Sequence, residues 1–338
     1  MAEKTPMEQR KFGRTGLNLS LLGFGCGAVG GLMIKGDMAD QERAVWRALE
    51  LGINYFDTAQ MYGNGESERN LGRVWKSLHP EAYVGTKVRL PATPPGQIGA
   101  AIAASLDASL QRLQMEKVDL FQFHNAIVGT TDGADFSADI VLGEVVPAFE
   151  RLRAQGKCRF FGITANGDTT ALHRVSDARA FDSGQVSYNL LNPSPGASSL
   201  PTGYPAQDYD NLLGHMHSAD MGVINIRVLA GGALSGSDDR HPLGSPPPSP
   251  IGSGGDYHTD VGRARRFHPL IQEGHAGDLI ELSLRYVIAQ PAVTTVLVGY
   301  STLEHLEHAA RSIEKGPLSP VAMARISEIQ RSFVGEKR

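Results

Sequence analysis

Asp57, Tyr62, Lys87 and His124 stand out in this 338-residue chain because each ends or follows an apolar, β-prone run. "INYF" at 53–56 runs into Asp57, with Tyr62 in the polar loop beyond; "AYVGTK" ends on Lys87 and "KVDLFQFH" on His124. A phenol, with a reference pKa of about 10, is a poor acid near neutrality unless something stabilises its anion. A nearby ammonium does so, and a carboxylate keeps that ammonium charged in a confined site. An imidazole can donate a hydrogen bond to a carbonyl oxygen and orient it. The four side chains together are a proton-transfer device aimed at an oxygen that becomes an alkoxide. They contain no nucleophile–base pair and no metal-ligand spacing. The electrons for the carbon must then come from elsewhere, and a hydride-carrying cofactor is the natural source. Taken singly, each has an ordinary role: Asp57 a loop cap, Lys87 a solvated charge, His124 a satisfied histidine, Tyr62 a turn aromatic. Only their convergence on one rim favours chemistry.

That convergence depends on the elements that carry them. Strand patterns occur at 22–26, 54–59, 82–87, 117–124, 158–164, 184–189, 222–228 and 294–299. Helix patterns near 40–52, 67–78, 97–113, 144–155, 169–179, 209–220, 277–289 and 302–312 follow them in turn. Such alternation implies parallel strands covered by helices, and eight repeats point to a (β/α)8 TIM barrel. The rival is a doubly wound open sheet. "GFGCGAVGG" at 23–31 has its glycines, but no acidic residue ends the next strand as that fingerprint requires. Side chains alternate along a strand, so Phe121 and Phe123 face the helices while Gln122 and His124 face inward. By the same parity Val84 and Thr86 face out, Lys87 inward, and Asp57 shares the inner face with Tyr55. Gln185 falls with Ser187 and Asn189. Asp57, Lys87, His124 and Gln185 thus sit at the C-terminal ends of four strands, where barrel active sites lie.

Three segments fall outside the repeat. Residues 10–21 read as an N-terminal β-hairpin turning at "RTG", placed to plug the barrel floor. Loop insertions at 125–143 and 230–268 would lie on the C-terminal face as flaps or as disordered segments. The second, with "GSPPPSPIGSGGD", reads as containing no regular element. The chain as a whole, 1–338, reads as a single barrel domain. Apolar residues make up 41% and charged residues 20%, with a net charge of −4 that offers no basic footprint for nucleic acid or anionic membrane. Two unpaired cysteines, Cys26 and Cys158, suit a reducing cytosol, and neither a signal-peptide core nor a membrane-length apolar run is present, so a cytoplasmic location is expected.

The ordered motifs resemble the aldo-keto reductase family over almost the whole chain. They run from "FGRTGLNLSLLGFGC" through "GINYFDTAQMYGNGESERNLG", "VGTKV" and "SLDASLQRLQMEKVDLFQFH", then "GKCRFFGIT", "QVSYNLLN", "VLAGGALSG" and "VLVGYSTLEHLEHA". The resemblance implies an oxidoreductase that moves a hydride between a nicotinamide cofactor and a carbonyl/alcohol substrate: an aldehyde, ketone or aldose. It assigns the tetrad to Asp57, Tyr62, Lys87 and His124, with Tyr62 as general acid, Lys87 lowering its pKa, Asp57 pairing with Lys87 and His124 orienting the carbonyl. Gln185 matches the glutamine that holds the nicotinamide carboxamide. Thr164 and Asn166 stand where the family has a Ser-Asn pair, and Ile226 where it commonly has a stacking aromatic. Gly25, Cys26, Asp57, Arg227, Leu229 and Gly231 complete the implied contacts to nicotinamide and pyrophosphate. Gly299, Ser301, Thr302 and His305 form the phosphate end. Family habit leans to NADP(H); Ser301, His305 and Ala309 replace its usual basic and asparagine contacts, which leaves NAD(H) open. A non-catalytic nicotinamide-binding sensor or accessory subunit, and a lyase using Lys87 as a Schiff-base amine, are the other readings. Substrate identity and oligomeric state stay open.

Overall fold

The computed structural model describes residues 7–336. Twelve strands occur in this span: β1 (Gln9–Lys11), β2 (Asn18–Ser20), β3 (Leu22–Gly25), β4 (Tyr55–Asp57), β5 (Tyr83–Val88), β6 (Val118–Phe123), β7 (Ile127–Val128), β8 (Phe136–Ser137), β9 (Cys158–Thr164), β10 (Ser183–Ser187), β11 (Gly222–Ile226) and β12 (Val293–Gly299). Eight of them close a barrel in the order β3-β4-β5-β6-β9-β10-β11-β12. Every pairing is parallel, and β12 returns to β3 with Val296 beside Leu22 and Gly299 beside Gly25. All eight expected strands are present, and closure excludes the open-sheet rival.

Parity explains why these residues close a barrel. Phe24, Phe56, Phe121, Phe123 and Phe161 are fully buried in the layer between barrel and helices. Their alternates Tyr55, Leu120, Ile224 and Leu297 fill the barrel interior. The hairpin β1–β2 completes that inner core from below with Phe12, Leu17 and Leu19. Its turn is pinned where Gly222 opens β11: any Cβ there would meet the Phe12 ring at 2.2 Å. The floor plug expected from the sequence is therefore formed.

Helices begin where short polar side chains cap them. Asp37 accepts from the Asp40 amide at 2.8 Å to start Met38–Glu50, and Thr302 accepts from His305 N–H at 3.3 Å to start Leu303–Glu314. Among the described residues no helix is long and apolar enough to cross a membrane.

Both insertions fold. In 125–143, β7 and β8 pair in parallel, and a π-turn at Val141–Val145 leads into the helix Val146–Ala154. The 230–268 segment corrects the expectation of no regular element, because it contains the helix Tyr257–Arg265. Asp256 caps this helix by accepting from the Thr259 amide at 2.7 Å, and Val261 and Ala264 bury its inner face. Arg240 fastens the rest of the segment, donating to the Gly231 and Gly244 carbonyls and, at 3.2 Å, to the Tyr257 hydroxyl.

Candidate active site

Each rim residue is delivered by the end of its strand. Asp57 closes β4, Lys87 lies next to last in β5, and His124 follows β6, its amide donating to Val88 O at 2.8 Å. Tyr62 sits five residues past Asp57 in the loop before the helix Glu66–Leu78, its amide donating to Ala59 O at 3.0 Å. These four come together on the C-terminal face.

Asp57 and Lys87 are both almost wholly buried. The Lys87 ammonium donates to Asp57 Oδ1, to Thr58 O at 2.8 Å and to Tyr62 Oη at 3.3 Å. An ammonium has three N–H groups, and all three are used. Burial alone would lower the Lys87 pKa, but the Asp57 carboxylate and the Tyr62 phenol outweigh it and hold the group above its ordinary value. With its three N–H groups engaged and its pKa held up, this lysine offers no free amine in support of the Schiff-base reading. Asp57 Oδ2 in turn accepts from Gln185 Nε2 at 2.8 Å, Tyr55 Oη at 3.0 Å and Gln122 Nε2 at 3.1 Å. Sequence reasoning placed Tyr55 and Gln122 on the inner face without assigning them to the site; their parity was the available signal.

His124 is mostly buried. Burial, then the positive charges of Lys87, Arg89 and Arg227, pull its pKa down to about 3. The ring is therefore neutral at pH 7. Its Nδ1 lies 2.7 Å from Thr164 Oγ1, whose hydroxyl also reaches Gln185 Oε1 at 3.4 Å.

A cleft of about 1080 Å³ runs from Tyr62 and His124 to Ser301, His305 and Ala309. Of the expected cofactor contacts, Gly25, Asp57, Asn166, Gln185 and Arg227 line it, as do Leu229, Gly231, Gly299, Ser301 and His305. Three expected residues do not. Cys26 turns into the core between barrel and helices, where burial pushes its thiol far above the normal range. Thr164 stands behind His124 with its hydroxyl engaged there. Thr302 is occupied as the helix cap. Ser301 reaches the wall, but its hydroxyl donates to Gly30 O at 2.7 Å. Ile226 lines the cleft at the position of the family's stacking aromatic, while Tyr188 stacks on Tyr286 at 5.2 Å in the outer core and cannot replace it.

The donor set fits a nicotinamide. Asn166 Oδ1 is buried on the cleft wall without a hydrogen-bond partner among the described residues, leaving an acceptor for a carboxamide N–H. At the far end burial, then His241, holds the His305 pKa below the ordinary histidine value, and His308 Nε2 lies 2.9 Å from Asp278 Oδ2. Sequence reasoning missed Arg89, Asp135, His241 and Pro246–Pro248 as cleft residues, since loop positions carry no periodic signal.

The Aldo/keto reductase family model matches residues 21–331. The chain is 28% identical over 334 residues to L-galactose dehydrogenase of Arabidopsis thaliana, covering 96% of this chain and 94% of that one. It is 26% identical over 335 residues to pyridoxal 4-dehydrogenase of Microbacterium luteolum, covering 88% and 91%. The fold superposes on the holo form of an aldo-keto reductase from Bacillus halodurans with a TM-score of 0.67 and 25% identity, covering 98% of each chain. A closed barrel, a polar rim built where the sequence pattern placed it, and a match from residue 21 to residue 331 agree: the chain belongs to the aldo/keto reductase family, whose oxidoreductases use nicotinamide cofactors.

Proposed function

We propose that this protein interconverts a carbonyl and an alcohol on a small substrate, with Tyr62 exchanging the proton at the substrate oxygen. The observation that carries this reading is the Asp57–Lys87–Tyr62 chain, in which a saturated ammonium stands 3.3 Å from the phenol oxygen. When bound, the nicotinamide would supply or accept the hydride at the substrate carbon. In the reducing direction Tyr62 gives its proton to the nascent alkoxide, and the phenolate left behind is stabilised by Lys87. In the oxidising direction the phenolate takes the hydroxyl proton. His124, neutral at pH 7, would donate to the same oxygen from Nε2 in the tautomer protonated there and fix its position. Gln185 and Asn166 would hold the carboxamide. Curated relatives named as dehydrogenases and others named as reductases support a site that works in both directions.

For the cofactor, the absence of a fixed charge on Ser301 or His305 supports NAD(H) at neutral pH. The committed serine hydroxyl and the lowered His305 pKa support NAD(H), against the lean to NADP(H) that family habit gives.

Turnover of an aldehyde and lactol panel by wild type and Tyr62→Phe tests the proposal. The variant should lose about 100- to 10,000-fold in kcat while binding NADH with nearly unchanged affinity, because the hydroxyl acts mainly in the transition state. Substantial residual activity at neutral pH would remove Tyr62 from the role. Cofactor binding without turnover in wild type would favour the sensor.

A further inference from the structure

Thr164 ends β9, fully buried behind the cleft wall, while His124 and Gln185 on either side of it line the cleft. Its Oγ1 lies 2.7 Å from His124 Nδ1 and 3.4 Å from Gln185 Oε1. Asp57 orients the Gln185 amide: Nε2 donates to Asp57 Oδ2 at 2.8 Å, which turns Oε1 towards Thr164. A carboxylate oxygen only accepts, so the flipped amide would set two acceptors against each other. The branched side chain of threonine is stiff at χ1, so the hydroxyl oxygen stays in place and only its proton swings. Thr164 thus has one proton for two partners. With the proton towards Gln185, Oγ1 accepts from Nδ1–H, and the neutral ring keeps a lone pair on Nε2. With the proton towards Nδ1, the neutral ring carries its own proton on Nε2. Only the second form can hold a substrate carbonyl, because a lone pair on Nε2 would face the lone pairs of that oxygen.

We propose that Thr164 is a positioning residue that couples the tautomer of His124 to the filling of Gln185 Oε1, so that a seated nicotinamide carboxamide makes the imidazole a donor to the substrate oxygen; this rests on the reading of Tyr62, His124 and Gln185 above. In the free protein Thr164 is the donor to Gln185 Oε1 among the described residues, and leaving a buried acceptor without a donor is costly. At 3.4 Å that contact is long for a hydroxyl, so a carboxamide N–H on Oε1 takes its place. The Thr164 proton then turns to the 2.7 Å contact with Nδ1. One proton leaves Nδ1 and one joins Nε2 by exchange with solvent, so the ring stays neutral and no proton is taken up or released overall.

The test is NMR of protein carrying histidine labelled with the heavy nitrogen isotope, which distinguishes a protonated from a bare ring nitrogen. Free protein and protein saturated with NADH or NADPH, whichever binds tighter, are compared at neutral pH. His124→Gln serves only to assign the signals. In wild type the protonated nitrogen should change from Nδ1 to Nε2 on adding cofactor. Thr164→Val, similar in shape but without the hydroxyl, should show one tautomer in both states and lose about tenfold in kcat/KM for a carbonyl substrate; Thr164→Ser should restore both properties. Gln185→Met removes the competing acceptor and should show the Nε2-protonated ring even without cofactor. One unchanging tautomer in wild type overturns the coupling, and a change that persists in Thr164→Val overturns the role of Thr164. An Nδ1-protonated ring in free Gln185→Met overturns the competition for the proton. Carbonyl turnover by wild type with an unmoving tautomer defeats this inference alone, whereas failure to bind either cofactor overturns both readings.

Discussion

The two oxygens of Asp57 divide their partners. Oδ1 serves Lys87, while Oδ2 accepts from Tyr55, Gln122 and Gln185. Burying an ion pair is costly unless the remaining lone pairs are satisfied, and breaking one costs about 3–5 kcal/mol. The three neutral donors on Oδ2 are what allow the Asp57–Lys87 pair to stay ionised inside the barrel. Tyr55 can serve as a donor throughout the working range, since burial, then the Asp57 charge, pushes its own pKa well above the ordinary value. Removing its hydroxyl should take one of three donors from Oδ2, draw Lys87 towards Asp57 and away from Tyr62, and so weaken the support that the ammonium gives the phenolate. Tyr55→Phe is expected to move the pH–rate profile upward and to slow oxidation severalfold at neutral pH, with KM for the cofactor unchanged. A profile that does not move would make Tyr55 a packing residue only. Parity along β4 and β6 made Tyr55 and Gln122 visible as inward residues, but nothing local showed that both would meet one carboxylate oxygen.

At the level of elements, the strands were legible because each alternates an aromatic or branched residue facing the helices with a different set facing inward. Phe121 and Gln122 in β6 show the contrast: the first packs on Phe149 at 4.9 Å, the second hydrogen-bonds across the barrel. The hairpin was legible for a related reason, as an alternating apolar run around a turn. Its contribution can be measured. Phe12→Ala removes a fully buried ring from the barrel interior and should cost about 3–5 kcal/mol of stability, read by chemical denaturation, with cofactor affinity unchanged because the floor lies opposite the cleft. Loss of cofactor binding in a folded variant would contradict this separation of floor and site. The 230–268 segment was the least legible part. Its proline- and glycine-rich composition hides a helix that forms because Asp256 caps it, Ser253 O–H donates to Asp260 at 2.7 Å, and Arg263 pairs with Glu336 at 2.9 Å. Those last partners lie far apart in sequence, so composition alone could not reveal them.

Across the whole molecule, charge is distributed unevenly along the cleft. The catalytic end holds Lys87, Arg89 and Arg227; the far end holds His305 and His308, with Glu304 and Asp278 nearby, while the cleft-lining Arg240 and Lys35 are engaged with backbone carbonyls. His305 is pulled below the normal histidine range by burial, then by His241 and His308, with Glu304 opposing. It is therefore neutral at pH 7 to 8 and gains a proton only as the pH falls below the ordinary histidine value. A 2′-phosphate would favour the protonated ring. The expected outcome is tighter binding of NADH than of NADPH at pH 8, with NADPH affinity rising as the pH is lowered and NADH affinity nearly flat. Fluorescence titration of both cofactors at two pH values checks this, and His305→Gln should remove most of the pH dependence. NADPH binding that is tighter at pH 8 and insensitive to pH would show that the far end finds its cation elsewhere.

What the sequence by itself determined was the periodic part: eight strands, the face on which each side chain lies, and hence Asp57, Lys87, His124 and Gln185 on one rim. Alternation is a property of neighbouring residues and survives without knowledge of the rest of the chain. What only the tertiary structure decided was who meets whom. Gln185 reaches Asp57 across 128 positions of sequence, Thr164 turns to His124, Ser301 is taken by Gly30, and Asn125 ties two loops that have no shared pattern. Those pairings follow from barrel closure and strand register, which no local stretch contains.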